Sequence, residues 1–178
     1  MKNIINTVCL IFFINLINAQ IYTEMNAVGS SITWEGSLPG ASFGMNYSVG
    51  YSFFNQKLDA GFSFEFQKAF DLENYNFFEI NFVYKPFNWE YFKPYIGVIN
   101  SRYKIHYSGF TLPVEPEFGY SISPMVGLLF KSDLIDGLYI NLGYNYRYLT
   151  RPLGQDITLH TLSFGLKYYF NFMKNKKE

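Results

Sequence analysis

The chain is 178 residues long, 16% charged and 21% aromatic, with a formal net charge of zero. That length suits one domain, and the charged fraction lies well under the ~25% of an ordinary soluble domain. The balance of charge offers no basic patch or stripe to a nucleic-acid partner.

The first residues read as a secretory leader. Lys2 supplies the positive start, Ile4 to Ile17 is an apolar run broken only by Asn6, Thr7 and Asn15, and Ile17-Asn18-Ala19 ends on a small residue. The pattern predicts a signal peptide over residues 1–19, cut between Ala19 and Gln20. The run, about 14 residues long, is too short for the ~20 a spanning helix needs. The single cysteine, Cys9, leaves with the leader, so the mature chain of 178 − 19 = 159 residues has none. No later stretch reaches 18 apolar residues, which excludes a mature transmembrane helix.

From there the period is two. Asn26 to Trp34 is a first, weakly alternating strand, with Val28, Ile32 and Trp34 against Gly29, Ser31 and Thr33. Ala41 to Phe53 alternates without error, Phe43, Met45, Tyr47, Val49 and Tyr51 against Ser42, Gly44, Asn46, Ser48 and Gly50. Leu58 to Phe66 and Phe78 to Lys85 follow in the same manner. Lys93 to Tyr107 begins with Ile96 and Val98 on one face and drifts into Arg102 and Lys104 on that same face. A bulge near Asn100 is expected to restore the phase. Ser121 to Phe130, Leu138 to Tyr148 and Leu162 to Phe170 complete eight strands. Asn55-Gln56-Lys57, Phe87 to Phe92 and Ser132 to Gly137 are expected as short turns. They alternate with longer connections at Glu35–Gly40, Asp71–Tyr75, Ser108–Gly119 and Arg151–Asp156.

The composition of the two faces separates a lipid-facing barrel from a soluble one. The polar face is mostly Gly, Ser and Asn, with Gly50, Gly61, Gly97, Gly127, Gly143 and Gly165 spread among the strands. Small residues suit the interior of an eight-stranded barrel, which its own side chains fill. The other face is large and aromatic throughout. Tyr144, Tyr146 and Tyr148 gather at the loop end, and Tyr84, Trp89, Tyr91, Tyr168 and Phe170 at the turn end. Two such belts are expected where rings meet both membrane interfaces; ordinary strand propensity explains any single tyrosine but not both clusters.

The last strand carries a resemblance. Ser163-x-Gly165-x-x-Tyr168-x-Phe170 looks like the C-terminal insertion signal of bacterial outer-membrane barrels, and the mature chain resembles the small OmpA/OmpX-type barrels. Its abundant Asn, Lys, Ile and Phe is similar to proteins of the Bacteroidetes group. The resemblance implies an all-β fold, a closed antiparallel up-and-down barrel over residues 20–170, with a polar tail over 171–178. It also implies an outer-membrane location with both termini in the periplasm, and outer-membrane lipid and the barrel insertion machinery as partners.

Inward parity places Glu65, Glu79, Arg147 and Lys167 in the lumen, with Asp59 and Lys85 near the turn end. Buried charges must pair, so an internal ion-pair plug is expected, with a gated ion path as its rival. His106-Tyr107-Ser108, followed by Glu115 or Glu117, superficially resembles the His-x-Ser and Glu of lipid A deacylases, in which Ser attacks an ester and His is the base. In that family the pair precedes the last strand, whereas Tyr148 to Leu159 lacks it here, and Gly109 stands where Asn follows the Ser. No metal spacing or phosphate loop stands out, and neither a cofactor nor an enzymatic activity is expected. The expectation is an integral outer-membrane protein with a structural or surface-interaction role, its external ligand unnamed and its variable part the loops. A lipid A-modifying esterase and a periplasmic lipocalin-like binder are the alternatives.

Overall fold

The structure, a computed structural model, describes residues 19–34, 39–69, 73–87, 89–107, 115–151 and 156–170. The strands are β1 (Gln20–Trp34), β2 (Gly40–Phe53), β3 (Leu58–Ala69), β4 (Glu73–Tyr84), β5 (Phe92–Tyr107), β6 (Glu117–Lys131), β7 (Leu138–Leu149) and β8 (Ile157–Phe170). Each pairs antiparallel with the next in chain order, and β8 returns to β1, which closes the barrel. Following the register once around from Phe130 passes Ile140, Leu166, Met25, Tyr47, Phe64, Phe78 and Arg102, and returns to β6 at Tyr120. The stagger is 130 − 120 = 10 residues, which tilts the strands by roughly 35–45° against the barrel axis.

Alternation sorts the side chains as the small and large residues predict, except in β1, where Val28 and Ile32 are buried inside and the smaller Gly29, Ser31 and Thr33 face outward. Phe62, Ile122, Leu162 and Phe164 stand outward at 61–72% exposure, while Ser48, Ser63, Asn81 and Asn141 are buried inside. An apolar wall this continuous is far more than water tolerates on a monomeric soluble protein.

Three expectations need correction. The strands run further than alternation suggests: β1 begins at Gln20 rather than Asn26, Glu73 and Tyr75 belong to β4, and Glu117 to Gly119 belong to β6. For β1 and β4 the cause is that the interior is not small and polar throughout. At the loop end Ile32, Tyr75, Phe77, Tyr103, Ile105, Leu149, Ile157 and Leu159 form a buried apolar layer. At the turn end Tyr22, Val83, Tyr95, Leu129, Tyr139 and Tyr169 form another. Where both faces are large, the period-two contrast disappears. Third, there is no bulge at Asn100. Its register to Ile80 and Ile122 is continuous with that of its neighbours, so Arg102 and Lys104 face outward.

The inward tyrosines explain several glycines. A Cβ at Gly127 would lie 2.3 Å from Tyr95 Cζ, one at Gly143 2.6 Å from Tyr95 Oη, and one at Gly61 2.3 Å from Tyr22 Oη. The rings occupy space that side chains on neighbouring strands give up. The β2–β3 turn needs left-handed backbone at three non-glycine residues, Phe54, Asn55 and Gln56, with φ of 52°, 56° and 65°. That conformation turns Gln56 back under the barrel.

Candidate functional site

The barrel interior carries three polar clusters stacked along the axis, and the loop-end apolar layer separates the cluster nearest the loops from the other two. The deepest is set by Arg147 of β7, which is fully buried. Its Nη1 donates to Glu65 Oε1, its Nη2 lies 3.1 Å from Glu65 Oε2, and Nη2 also donates to Glu79 Oε1 at 2.6 Å. Its guanidinium lies 4.3 Å from the Phe77 ring centroid, at the floor of the loop-end apolar layer. Glu65 further accepts from Asn46 Nδ2 at 3.2 Å and from Gln67, and Glu79 from Ser63 Oγ at 2.8 Å and Ser101 Oγ at 3.1 Å. Two carboxylates therefore share one guanidinium, and short polar side chains fill the remaining lone pairs. Charges in a low-dielectric interior persist only when so satisfied.

The second cluster lies toward the turn end. Lys167 Nζ is 2.8 Å from Asp59 Oδ2 and 3.1 Å from Glu24 Oε2. Lys85 pairs with Asp59 and donates to Tyr169 Oη at 2.9 Å, and Tyr169 Oη donates to Asp59 Oδ2 at 2.8 Å. Below it Gln56 closes the turn end: its Nε2 donates to Gln20 Oε1 at 2.7 Å and its Oε1 accepts from Lys93 Nζ at 2.7 Å. A cavity of ≈ 40 Å³ lies between the two clusters, lined in part by Asn26, Asn46, Asn141 and Asn145. Among the described residues, Asn145 Oδ1 and Arg147 Nε are the buried side-chain polar atoms that make no hydrogen bond.

The third cluster sits at the loop end, above the apolar layer. Arg151 donates from Nε and Nη2 to the two carboxylate oxygens of Glu117, each at 2.9 Å, and its Nη1 is 3.7 Å from Glu73 Oε1. Tyr107 Oη donates to Glu117 and accepts from Arg151. The paired Glu117 carboxylate holds the Arg151 guanidinium well above its usual pKa. Beside it Asp156 accepts the Tyr148 hydroxyl and, at 3.1 Å, the Arg151 amide, which hold its carboxyl below the usual range.

Of the residues singled out by parity, Glu65, Glu79 and Arg147 meet in one cluster, while Lys167 joins Asp59 and Lys85 in the other. Glu24, Glu73 and Arg151 were missed, because they lie in segments read as leader-proximal or loop. The sequence did hold one signal for Glu24, which is in phase with inward Asn26. His106 and Glu117 do not form a site. His106 stands at an outward position of β5 and Glu117 at an inward position of β6, on opposite faces of the sheet. Ser108 lies outside the described residues, as do residues 1–18 of the expected leader and the tail 171–178. His160 faces outward, its Nδ1 2.8 Å from Tyr144 Oη and its ring edge-on to Tyr146. Of the expected insertion signal, Ser163 and Gly165 face inward. Tyr168 and Phe170 face outward at the end of β8, their rings edge to face with centroids 4.8 Å apart.

No protein-family model and no curated protein matches the sequence. Solved structures do resemble the fold. Neisserial surface protein A superposes with a TM-score of 0.69 at 18% identity, covering 85% of this chain and 99% of that one. The attachment invasion locus protein Ail of Yersinia pestis, solved with the heparin analogue sucrose octasulfate, gives 0.61 at 19%, covering 85% and 99%. The outer membrane enzyme PagL gives 0.53 at 15%, covering 82% and 98%. A surface protein, an attachment invasion locus protein and an enzyme thus share this architecture, so fold alone does not choose between roles. The chain has the closed eight-stranded fold of the small OmpA/OmpX-type outer-membrane barrels.

Proposed function

We propose that this chain is an integral outer-membrane barrel that acts as a closed, rigid platform for its external loops and does not conduct solutes. The observation that carries the reading is the inversion of polarity. The outward wall is built of exposed Phe, Leu, Ile and Tyr, while Arg147, Glu65, Glu79, Lys167 and Asp59 are buried inside. In lipid, a closed barrel satisfies every backbone group and leaves no sheet edge. With β1 entered from Gln20 and eight strands traversed, both ends of the barrel segment fall on the short-turn side, the periplasmic side in this class.

The lumen supports closure rather than transport. Among the described residues, three ion clusters and two apolar layers fill the interior around a cavity of ≈ 40 Å³, too small for an apolar ligand of the kind a lipocalin holds. The opposite placement of His106 and Glu117 weighs against the esterase. Ser163, Gly165, Tyr168 and Phe170 serve as the mark for the insertion machinery; the outward pair Tyr168 and Phe170 at the end of β8 supports this role.

Two measurements test the reading. Detergent-refolded protein should migrate differently in SDS before and after boiling, and planar bilayers containing it should show no stable conductance steps. A soluble, unshifted protein, or discrete channel openings, would replace this reading.

A further inference from the structure

The outward wall is mostly apolar, and its formal charges are confined to one region. Among the described residues, the outward-facing strand positions carry three formal charges, Lys68, Arg102 and Lys104; all are cationic, and no carboxylate stands among them. They occupy one patch at the loop end of β3 to β5. In register, Lys68 pairs with Asn74 and Asn74 with His106; Asn76 pairs with Lys104 and Lys104 with Phe118; Phe78 pairs with Arg102 and Arg102 with Tyr120. The Arg102 guanidinium is 5.9 Å from the Tyr120 ring centroid, and Lys104 Nζ is 5.3 Å from that of Phe118.

Rings hold Arg102 and Lys104 against the wall but supply no anion. Arg and Lys offer donors and no acceptor, and three like charges in one patch repel unless something negative lies against them. The rows of Asn beside them add further donors and acceptors. At the loop end the wall meets the level of the outer-leaflet headgroups, where interfacial aromatics gather. Phe66, Phe78 and Ile122 lie just below the patch on the same wall, exposed and apolar. A ligand that fits both parts has a phosphate at the headgroup and acyl chains beneath it.

The geometry points to a binding site for a phosphate-bearing lipid of the outer leaflet on this wall, with Lys68, Arg102 and Lys104 holding the phosphate and Phe118 and Tyr120 holding Arg102 and Lys104 in place. The site rests on the membrane placement proposed above. It is distinct from the lumen, whose charged groups face the other way.

The test is native mass spectrometry of the refolded full barrel released from mixed micelles. The micelles contain phosphatidylcholine with either bis-phosphorylated lipid A or the same lipid A after dephosphorylation. The wild type should retain the phosphorylated lipid over its dephosphorylated form. Retention should fall about fivefold for each cation neutralised, in K68Q, R102Q, K104Q and the triple variant. Lys131→Gln, at the turn end, should leave it unchanged. Each variant is first checked for the heat-dependent mobility of a folded barrel; if the triple variant fails that check, the single variants decide. Equal retention by wild type and R102Q, or retention independent of phosphate, overturns the site. So does retention of soluble sucrose octasulfate in place of the lipid. Failure of the wild type to show heat-dependent mobility overturns the membrane reading itself.

Discussion

Arg147 of β7 and Glu65 of β3, 82 positions apart in sequence, stand on opposite walls of the barrel and join through the two terminal guanidinium nitrogens, Nη1 and Nη2. Removing only the cation leaves Glu65 and Glu79 facing each other unpaired. Arg147→Ala should therefore cost roughly 3–5 kcal/mol, read as a lowered midpoint in urea unfolding from micelles. The triple change Arg147→Met, Glu65→Gln and Glu79→Gln should cost less than Arg147→Ala alone, because it removes the charges together.

The ion cluster is not the sole seal. The apolar layer formed by Phe77, Tyr103, Leu149 and Leu159 lies on its loop side. Glu65→Gln alone should leave planar-bilayer conductance at background, and Glu65→Gln combined with Phe77→Ala and Leu149→Ala should raise it. Conductance from the single variant would make the carboxylate the gate.

Tyr95 lies where the side chains of Gly127 and Gly143 would be. Gly127→Ala puts a Cβ 2.4 Å from the Leu142 carbonyl oxygen as well as against the ring. Such overpacking should destabilise by about 1–3 kcal/mol. Gly29→Ala, where the nearest atom is 3.4 Å away on Phe43, should be near neutral. Thermal unfolding of the two variants side by side gives the comparison.

Asp156 accepts the Tyr148 hydroxyl and the Arg151 amide, which lower its pKa. A carboxyl whose folded pKa is depressed stabilises at pH values above its unfolded pKa, and that contribution disappears as the pH falls through the folded value. The Asp156 contacts should thus be present at neutral pH and be released only in acid, below the ordinary aspartate range. A carboxyl-carbon NMR titration should show this, and Tyr148→Phe should move the midpoint upward.

The legible part of the fold was that in which inward residues are small and outward residues are large. Over Ala41 to Phe53 the register follows from the letters, because Ser and Gly alternate with Phe and Tyr. At Tyr75 and Phe77, or Tyr103 and Ile105, the inward residues are as large as the outward ones. Size then carries no information about the face, and the starts of β4 and, at Ile157 and Leu159, of β8 were hidden. Arg102 and Lys104 misled for the opposite reason. Charge on an outward position looked like a phase error, whereas the strand kept its phase and the wall itself is charged there. Which acid each lumen base meets depends on the ten-residue stagger, a property of the closed sheet that no single strand displays. Hence Lys167 finds Asp59 and Glu24 rather than Glu65.

Pairing of β1 with β8 joins Ile21 to Phe170, nearly the two ends of the barrel segment. Every other pairing is a hairpin between sequence neighbours and can form as the chain is delivered. This seam must wait, because its partner strand is the last to arrive and the closing loop is the whole domain. Until then the sheet has two open edges, each a template for a foreign strand. A chain stopped anywhere before Ile157 should never reach a monomeric resting state, and removing β8 should yield aggregates or products of proteolysis rather than a smaller barrel.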